Sequence, residues 1–413
     1  MDFDETPEEV AFRAEAFAWL SQHAPLKDPA EASPLSVGET NAEAELEHVA
    51  AAKAWQRTLF EHGWAGITWA KEYGGRGGTP MEQIIFSQEQ ARFEVPSSIF
   101  AQGIGMAGPT LMMHGTEEQK RRFLEPMLRG DEVWCQLFSE PGAGSDLASL
   151  STRAVRDGDE FVVNGQKVWT SSAHFSDWGI LLARTDPDAP KHRGITYFLL
   201  DMATPGIDVR PLRQATGAAH FNEVFLTNVR IPADNVVGPA NGGWGVTMTT
   251  LANERTLIGS GAGVGDPFGD LVRLARRHGR SEDPILRQDL ADAYIRLQLL
   301  KYLGWRVQTA VSQNRQPGPE SSVLKLGLSR HLALTGDLVM SLMGPTATLL
   351  DYEQPADSGW QLHFLGQWGA RIGGGTEQIQ RNIIGERVLG LPREPQVDKD
   401  IPFRQIGGVR FEP

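Results

Sequence analysis

The sequence is poor in the features that mark secreted, metal-binding and membrane proteins. It contains a single cysteine, Cys135, among 413 residues, which excludes an intrachain disulfide and a site of several thiolates. Its apolar runs, of which 197–200 is typical, are far shorter than the about 20 residues of a membrane-spanning helix. The amino terminus is acidic and lacks the basic and apolar regions of a secretion signal. We therefore expect a cytoplasmic protein without a metal site or a membrane span.

Basic residues are also in short supply. The chain has 39 Lys and Arg against 52 Asp and Glu, a net charge of −13. Proteins that bind nucleic acids need a basic surface, so we expect no nucleic-acid partner. A local pocket on an acidic protein can still be positive, and an anionic small molecule remains compatible with this composition.

The patterning predicts helices, then strands, then helices. Thr6-Pro7-Glu8-Glu9 has the pattern of a helix start with a capping box, in which Thr6 is the N-cap. Helices are predicted over 83–92, 117–128 and 325–343, and an apolar seam predicts another over 286–307. From about 134 to 239 the chain is rich in β-formers, and Asn164-Gly165 predicts a two-residue hairpin. Further strands are predicted over 179–183, 194–200 and 224–231.

The length predicts two or three domains, and the change in pattern favours three. We place them at 1–133, 134–240 and 241–413. Strands and helices do not alternate regularly, which makes a doubly wound nucleotide-binding fold an unfavourable interpretation.

Three segments carry chemistry that suits a ligand, although each also has a simpler structural interpretation, and a fourth is a charged pair that nothing local marks as catalytic. Residues 139–146 combine glycines with hydroxyls, as a ligand loop or a plain turn would. Trp169 precedes three hydroxyl residues and can stack on a planar cofactor or lie in the core. Residues 373–381 place glycines and a threonine at a helix start, which suits an anion or only a cap. The pair Glu254-Arg255 has the pattern of an ordinary solvent-exposed helix face.

Taken together and in this order, these motifs resemble the acyl-CoA dehydrogenase family. The resemblance rests on SEPGAGSD at 139–146, NGQKVW at 164–169, FNEVFLTNVRIP at 221–232 and GGTEQIQRNIIGERVLG at 374–390, with support from 115–126. It covers nearly the whole chain. It implies an α+β fold with an N-terminal α-helical domain, a middle antiparallel β domain and a C-terminal four-helix bundle. It also implies FAD bound between the subunits of a tetramer.

The resemblance further implies which residues contact FAD and the acyl-CoA substrate. Ser145, Arg255 and Gly374 are expected to contact the substrate. The residues expected to contact FAD are Gln136, Phe138, Ser139, Gly144, Ser145, Trp169, Ser171, Arg280, Thr376 and Gln378.

The catalytic base has two possible positions in this family. Many members carry a carboxylate two residues before the threonine of the C-terminal motif, where this chain has Gly374, which cannot act as a base. Members similar to isovaleryl- and long-chain-type enzymes place it far earlier, on a helix and before an arginine. That position is Glu254 here. Glu254 is therefore expected to take the α proton while the β hydrogen leaves as hydride to flavin N5, giving the trans-2-enoyl-CoA.

Two segments depart from the family pattern. Residues 279–284 replace Arg-x-x-Phe-Gly, and residues 341–345 replace Gln-x-x-Gly-Gly. Both normally contact the FAD of a neighbouring subunit, a role that Arg280 is expected to keep.

Two alternative functions remain open. One is a flavin-dependent oxidase or monooxygenase, and the other is a partner subunit of a heteromeric acyl-CoA dehydrogenase. The partners implied are an acyl-CoA, an electron-transfer flavoprotein and further subunits of a homo- or hetero-oligomer, in a pathway of fatty acid or lipid catabolism. The acyl chain stays unspecified.

Overall fold

Helices form both ends of the chain and strands form its middle. The computed structural model describes residues 5–28, 42–259, 267–313, 318, 321–349, 355–395 and 397–406. Before the strands come α1 (Pro7–His23), α2 (Ala42–Glu61), α3 (Pro80–Gln90), α4 (Gly108–His114) and α5 (Glu117–Arg129). No helix in these described ranges is long and apolar enough to cross a membrane.

The start of α1 confirms the predicted capping box. The Thr6 hydroxyl accepts a hydrogen bond from the Glu9 amide, and the Thr6 amide donates to the Glu9 carboxylate. Pro7 occupies the first helical position, where its missing N–H costs nothing. Thr79 and Thr116 cap α3 and α5 in the same way. These boxes satisfy amide groups that the helix itself leaves without acceptors.

Seven strands in the described part of the chain form one sheet. They are β1 (Trp134–Leu137), β2 (Arg153–Asp157), β3 (Glu160–Ser171), β4 (Trp178–Arg184), β5 (Ile195–Asp201), β6 (Ile207–Leu212) and β7 (Phe221–Pro232). Their order is β1-β4-β2-β3-β7-β6, with β5 beside β4. The pairings are antiparallel except for β1 with β4 and one pair between β2 and β4. Cys135, Leu137, Phe161 and Phe198 lie in the buried core of this sheet.

The predicted hairpin at Asn164-Gly165 is wrong, because β3 continues through both residues. The register of β3 against β7 shifts between Val163 and Gly165, as at a β-bulge. Glycine is needed here for packing, since a Cβ on Gly165 would lie 2.7 Å from the Thr152 Cα. The actual hairpin turn lies between β2 and β3, where Gly158 has a φ of +62°.

Helices return after the sheet, as predicted. They are α6 (Gly243–Gly259), α7 (Pro267–Arg277), α8 (Pro284–Ser312), α9 (Ser321–Met343), α10 (Pro355–Ile372) and α11 (Glu377–Ile383). The first part of the predicted seam on α8 is buried: Leu286, Leu290 and Ala293 share a core with Leu274 of α7 and Leu338 of α9.

The chain divides into two compact units. The first unit comprises Met1–Gly38, Gly78–Val95 and Arg255–Pro392. The second unit comprises Glu39–Gly77, Pro96–Glu254 and Arg393–Pro413, and it contains the whole sheet.

Candidate active site

A glycine-rich loop, residues 139–146, leaves β1 in the second unit. Its tight turn is closed by two hydrogen bonds of 3.0 Å between the backbones of Glu140 and Ala143. Gly142, Gly144 and Ser145 are exposed. A Cβ on Gly142 or Gly144 would meet no atom within 4 Å. Folding of this unit therefore does not require glycine at either position, whereas close approach of a ligand to the backbone does.

A buried ion pair fixes this loop to strand β3. The Lys167 ammonium lies 2.8 Å from the Glu140 carboxylate, and the two side chains are only 0% and 5% exposed. Lys167 also donates to the Phe138 carbonyl at 3.1 Å, and Glu140 accepts from the amides of Ser151 and Thr152 at 2.6 and 2.9 Å. Burial alone would raise the pKa of Glu140. The charge of Lys167 and the hydrogen bonds outweigh burial and lower that pKa to about 2.

A backbone hydrogen bond next to this ion pair brings the tryptophan motif beside the loop. The Val168 amide donates to the Ser139 carbonyl at 2.9 Å, so that Trp169 follows directly. Trp169 has a φ of +61°, which is rare for a bulky residue, and it is 61% exposed. Its ring contacts that of Phe221 at 6.1 Å, edge to face. The tryptophan therefore does not lie in the core of this unit, and its strained backbone is typical of a ligand-binding residue.

The remaining predicted residues of the middle segment flank this contact. Gln136 is partly buried in β1, and Ser171 is the last residue of β3. Phe138 is buried, with its ring edge to face on that of Tyr197 at 6.0 Å. The hydrogen bond between Val168 and Ser139 thus places the two predicted flavin-contacting segments, 136–139 and 169–171, side by side.

Helix α6, which carries Glu254, is held one turn earlier by a buried chain of hydroxyls. The Thr250 hydroxyl lies 2.9 Å from that of Thr110 and 3.2 Å from the Tyr197 phenol, and burial raises the pKa of Tyr197. Residues four apart on a helix share a face, so Glu254 lies above Thr250. Glu254 is itself partly buried. Arg255 continues the helix, and its side chain lies outside the described part of the structure.

The C-terminal motif lies in the first unit. Gly374 and Gly375 have φ values of +64° and +88°, which glycine adopts without strain. Their carbonyls accept hydrogen bonds from Gln380 at 2.9 Å and Lys325 at 2.7 Å, respectively. The turn is therefore fixed internally, and its backbone suits glycine at position 374, where the family resemblance places the alternative carboxylate.

The other predicted cofactor residues of the first unit are at its helix ends. The Thr376 hydroxyl caps α11 by accepting from the Ile379 amide at 3.2 Å, and Gln378 is exposed. Arg280 pairs with Asp283 at 3.1 Å. A Cβ on Gly344 would lie 3.9 Å from the Arg280 guanidinium, so the two segments that depart from the family pattern are neighbours.

The comparison with known proteins places the chain in a family. Three family models match it in order: the acyl-CoA dehydrogenase N-terminal domain at residues 6–131, the middle domain at 135–229 and the C-terminal domain at 241–389. The chain belongs to the acyl-CoA dehydrogenase family.

Two curated relatives come from Mycobacterium tuberculosis (strain ATCC 25618 / H37Rv). Acyl-CoA dehydrogenase FadE34 is 44% identical over 339 residues, which cover 82% of this chain and 46% of that protein. The match thus spans about half of FadE34. Acyl-CoA dehydrogenase IpdE1 is 41% identical over 345 residues, 83% of this chain and 88% of the relative.

Solved structures agree with this assignment. A structure described as the Tcur3481-Tcur3483 steroid ACAD has a TM-score of 0.79 and 32% identity, covering 95% of this chain and 100% of that one. The ChsE4-ChsE5 complex from Mycobacterium tuberculosis has a TM-score of 0.75 and 29% identity, with the same coverage. The predicted family, fold class and class of oxidoreductase are confirmed. Members of this family are flavoproteins.

Proposed function

We propose that this chain dehydrogenates an acyl-CoA thioester between its α and β carbons, with FAD as cofactor and Glu254 as the base. The observation that carries the assignment is that this chain has glycine at one of the two base positions of the family and a carboxylate at the other. The C-terminal motif holds Gly374 in a turn that favours glycine, whereas α6 presents Glu254 one turn beyond its buried hydroxyl anchor. Removal of an α proton requires a base such as a carboxylate. A carboxylate becomes more basic when a closed apolar site removes water from it.

The residues of the second unit fit a flavin. An exposed tryptophan with a strained backbone lies beside a loop whose two glycines serve no packing need. By family resemblance, the residues that would hold FAD are Gln136, Phe138, Ser139, Gly144, Ser145, Trp169 and Ser171, with Thr376, Gln378 and Arg280 from the first unit. Bound FAD would supply the acceptor for the β hydride.

The substrate-binding residues have separate tasks in this proposal. Ser145 and Arg255 orient the acyl-CoA. The backbone amide of Gly374 donates to the thioester carbonyl and stabilises the negative charge that grows there as Glu254 takes the proton. The boundaries at 133/134 and 240/241 remain our division of the chain into domains.

We propose further that the acyl group is bulky and that the working enzyme contains a second, different chain of the same family. The two solved structures named above, 32% and 29% identical to this chain, are each described with the names of two proteins, and one is described as a steroid ACAD. A base on the α6 helix is compatible with branched or bulky acyl groups.

We place the protein in the cytoplasm, in lipid catabolism, and expect an electron-transfer flavoprotein as acceptor. Co-purification with such a second chain, measured by mass spectrometry of the intact assembly, checks this arrangement. A colourless protein that binds no FAD either alone or with candidate partners would contradict it.

Replacement of Glu254 by Gln tests the proposed base. Gln fills the same space but cannot accept the proton, and loss of a general base costs about 10²–10⁴-fold in rate. Flavin reduction by a ring-containing acyl-CoA, followed in a stopped-flow instrument, should slow by that factor. FAD content and acyl-CoA affinity should persist. Glu118→Gln is the matched control, because Glu118 is an exposed carboxylate on α5.

The outcome is sharpened by a second substitution. In the Glu254→Gln protein, Gly374→Glu places a carboxylate at the position other members use, and it should restore measurable reduction. If Glu254→Gln alone reduces its flavin at the wild-type rate, the base lies elsewhere. Rapid reoxidation by oxygen while product is bound would instead favour the oxidase alternative.

A further inference from the structure

Residues 397–406, which we name the strap, lie against the sheet in the second unit. The strap follows the region matched by the C-terminal family model, which ends at residue 389. Phe403 is fully buried, and its amide donates to the Ala189 carbonyl at 3.0 Å. The Arg404 amide donates to the Pro187 carbonyl at 3.0 Å. The strap therefore pairs with the loop between β4 and β5 through its backbone as well as its side chains.

A buried arginine links the strap to the chain that follows the glycine-rich loop. The Arg184 guanidinium lies 3.7 Å from the centre of the Phe403 ring. It donates to the carbonyls of Lys191 at 2.7 Å and Ala148 at 2.6 Å. Phe403 thus covers a cation that joins two separate loops.

A second cation reaches the glycine-rich loop directly. The Lys191 ammonium lies 3.0 Å from the Asp146 carboxylate and 2.7 Å from that of Asp398 in the strap. Asp146 is the last residue of the loop and follows Ser145. The Lys191 side chain is only 11% exposed, so its position is restricted by the groups around it. Lys191 can therefore transmit the position of the strap to the loop.

We propose that the strap is a positioning element of the ligand-binding surface. It orients Lys191, and Lys191 in turn holds Asp146 so that Ser145 and Gly144 face the ligand in one arrangement. The effect on ligand binding rests on the proposed role of Ser145. The fastening of the loop by the strap does not rest on that role, because it depends only on contacts within the second unit.

Hydrogen exchange of the full-length protein, as purified, tests the fastening. Asp398→Asn removes one charge and keeps the shape of the side chain. Exchange in peptides covering 141–149 should accelerate about 1.5- to 5-fold, the range expected for one partly exposed ion pair. Phe403→Ala should accelerate it at least about tenfold, since it empties a fully buried site. Asp400→Asn is the matched control, because Asp400 is exposed in the same segment. In a Lys191→Met background, Asp398→Asn should not accelerate exchange of these peptides further.

Calorimetric titration with coenzyme A measures a Kd, which a loss of stability alone would not change. The Kd of coenzyme A should rise in Asp398→Asn by about the same 1.5- to 5-fold, with FAD content and the Asp400→Asn value unchanged. Unaltered loop exchange in both strap variants would overturn the proposal. Tighter binding of coenzyme A would also overturn it, since Asp398 would then compete with the anion for Lys191. Faster loop exchange in a protein whose wild type ignores coenzyme A would support the fastening and contradict the proposed function.

Discussion

Replacement of Lys167 by Met should separate the stability of the sheet from the chemistry of the site. Met has nearly the length of Lys but lacks the charge that Glu140 faces at 2.8 Å. The carboxylate would keep the amides of Ser151 and Thr152 as donors, yet it would stay buried without a counter-charge. Removal of one member of a buried ion pair typically costs about 3–5 kcal/mol.

The pKa of Glu140 gives a second magnitude, for Lys167 and the amides of Ser151 and Thr152 together. The ordinary pKa is 4.5, and the value in the fold is about 2. This difference corresponds to about 3 kcal/mol of stability. Because the pKa is lower in the folded protein, the contribution is present above pH 4.5 and is lost as the pH falls from 4.5 toward 2. Lys167 supplies only part of this lowering, and burial lowers the pKa of Lys167 itself. We therefore take the lower end of the range and expect Lys167→Met to lower the free energy of unfolding by about 3 kcal/mol at pH 7.

Urea denaturation of the FAD-free protein, followed by circular dichroism, measures this loss. The double variant Lys167→Met/Glu140→Gln should recover part of it, since both groups are then neutral and of similar shape. The stability difference between wild type and Glu140→Gln should shrink as the pH falls below 4.5. A loss under about 1 kcal/mol for Lys167→Met, or a double variant as unstable as the single one, would refute the role of this pair as a clamp.

Two further substitutions probe the site and the helical unit. Trp169→Ala should weaken FAD retention by about 0.5–1.5 kcal/mol and barely change the melting temperature of the apoprotein, because the ring is 61% exposed. Equal losses in both would mark the tryptophan as a core residue. Burial, aided by the charges of Arg296 and His363, lowers the pKa of His331 to about 4. The related stability, present above pH 6.5, should be lost as the pH falls toward 4, and over this range wild type should lose about 3 kcal/mol more than His331→Leu. Denaturation at several pH values measures this, and identical pH profiles would show that His331 does not titrate as expected.

Elements governed by local rules are predictable from the sequence. The capping box at Thr6 follows from three residues, and α9 and the strands β4, β5 and β7 follow from periodic runs. The Asn164-Gly165 hairpin fails because the same dipeptide also suits a bulge. Thr152 lies against Gly165 and explains the glycine there, and no local pattern contains the position of that neighbour.

The candidate site shows the same division. Its glycine loop and tryptophan are visible as motifs, and only the family resemblance distinguishes Glu254 from an ordinary surface carboxylate. The contacts that connect the motifs are not visible in either way. Glu140 and Lys167 are 27 residues apart, and Lys191 and Asp398 are 207 apart. Such pairs depend on how the chain closes, and periodicity or composition carries no information about that.

The single cysteine, Cys135, lies in the core and can report motion of the wild-type chain. Cys135 lies in β1, directly before the glycine-rich loop, and burial raises its pKa to about 12. Thiol reagents react with the thiolate, so labelling at neutral pH requires that β1 first leave the sheet. The labelling rate therefore measures how often β1 opens in this way. A ligand that rests on the loop after β1 should slow labelling, and its binding can be followed without any engineered probe.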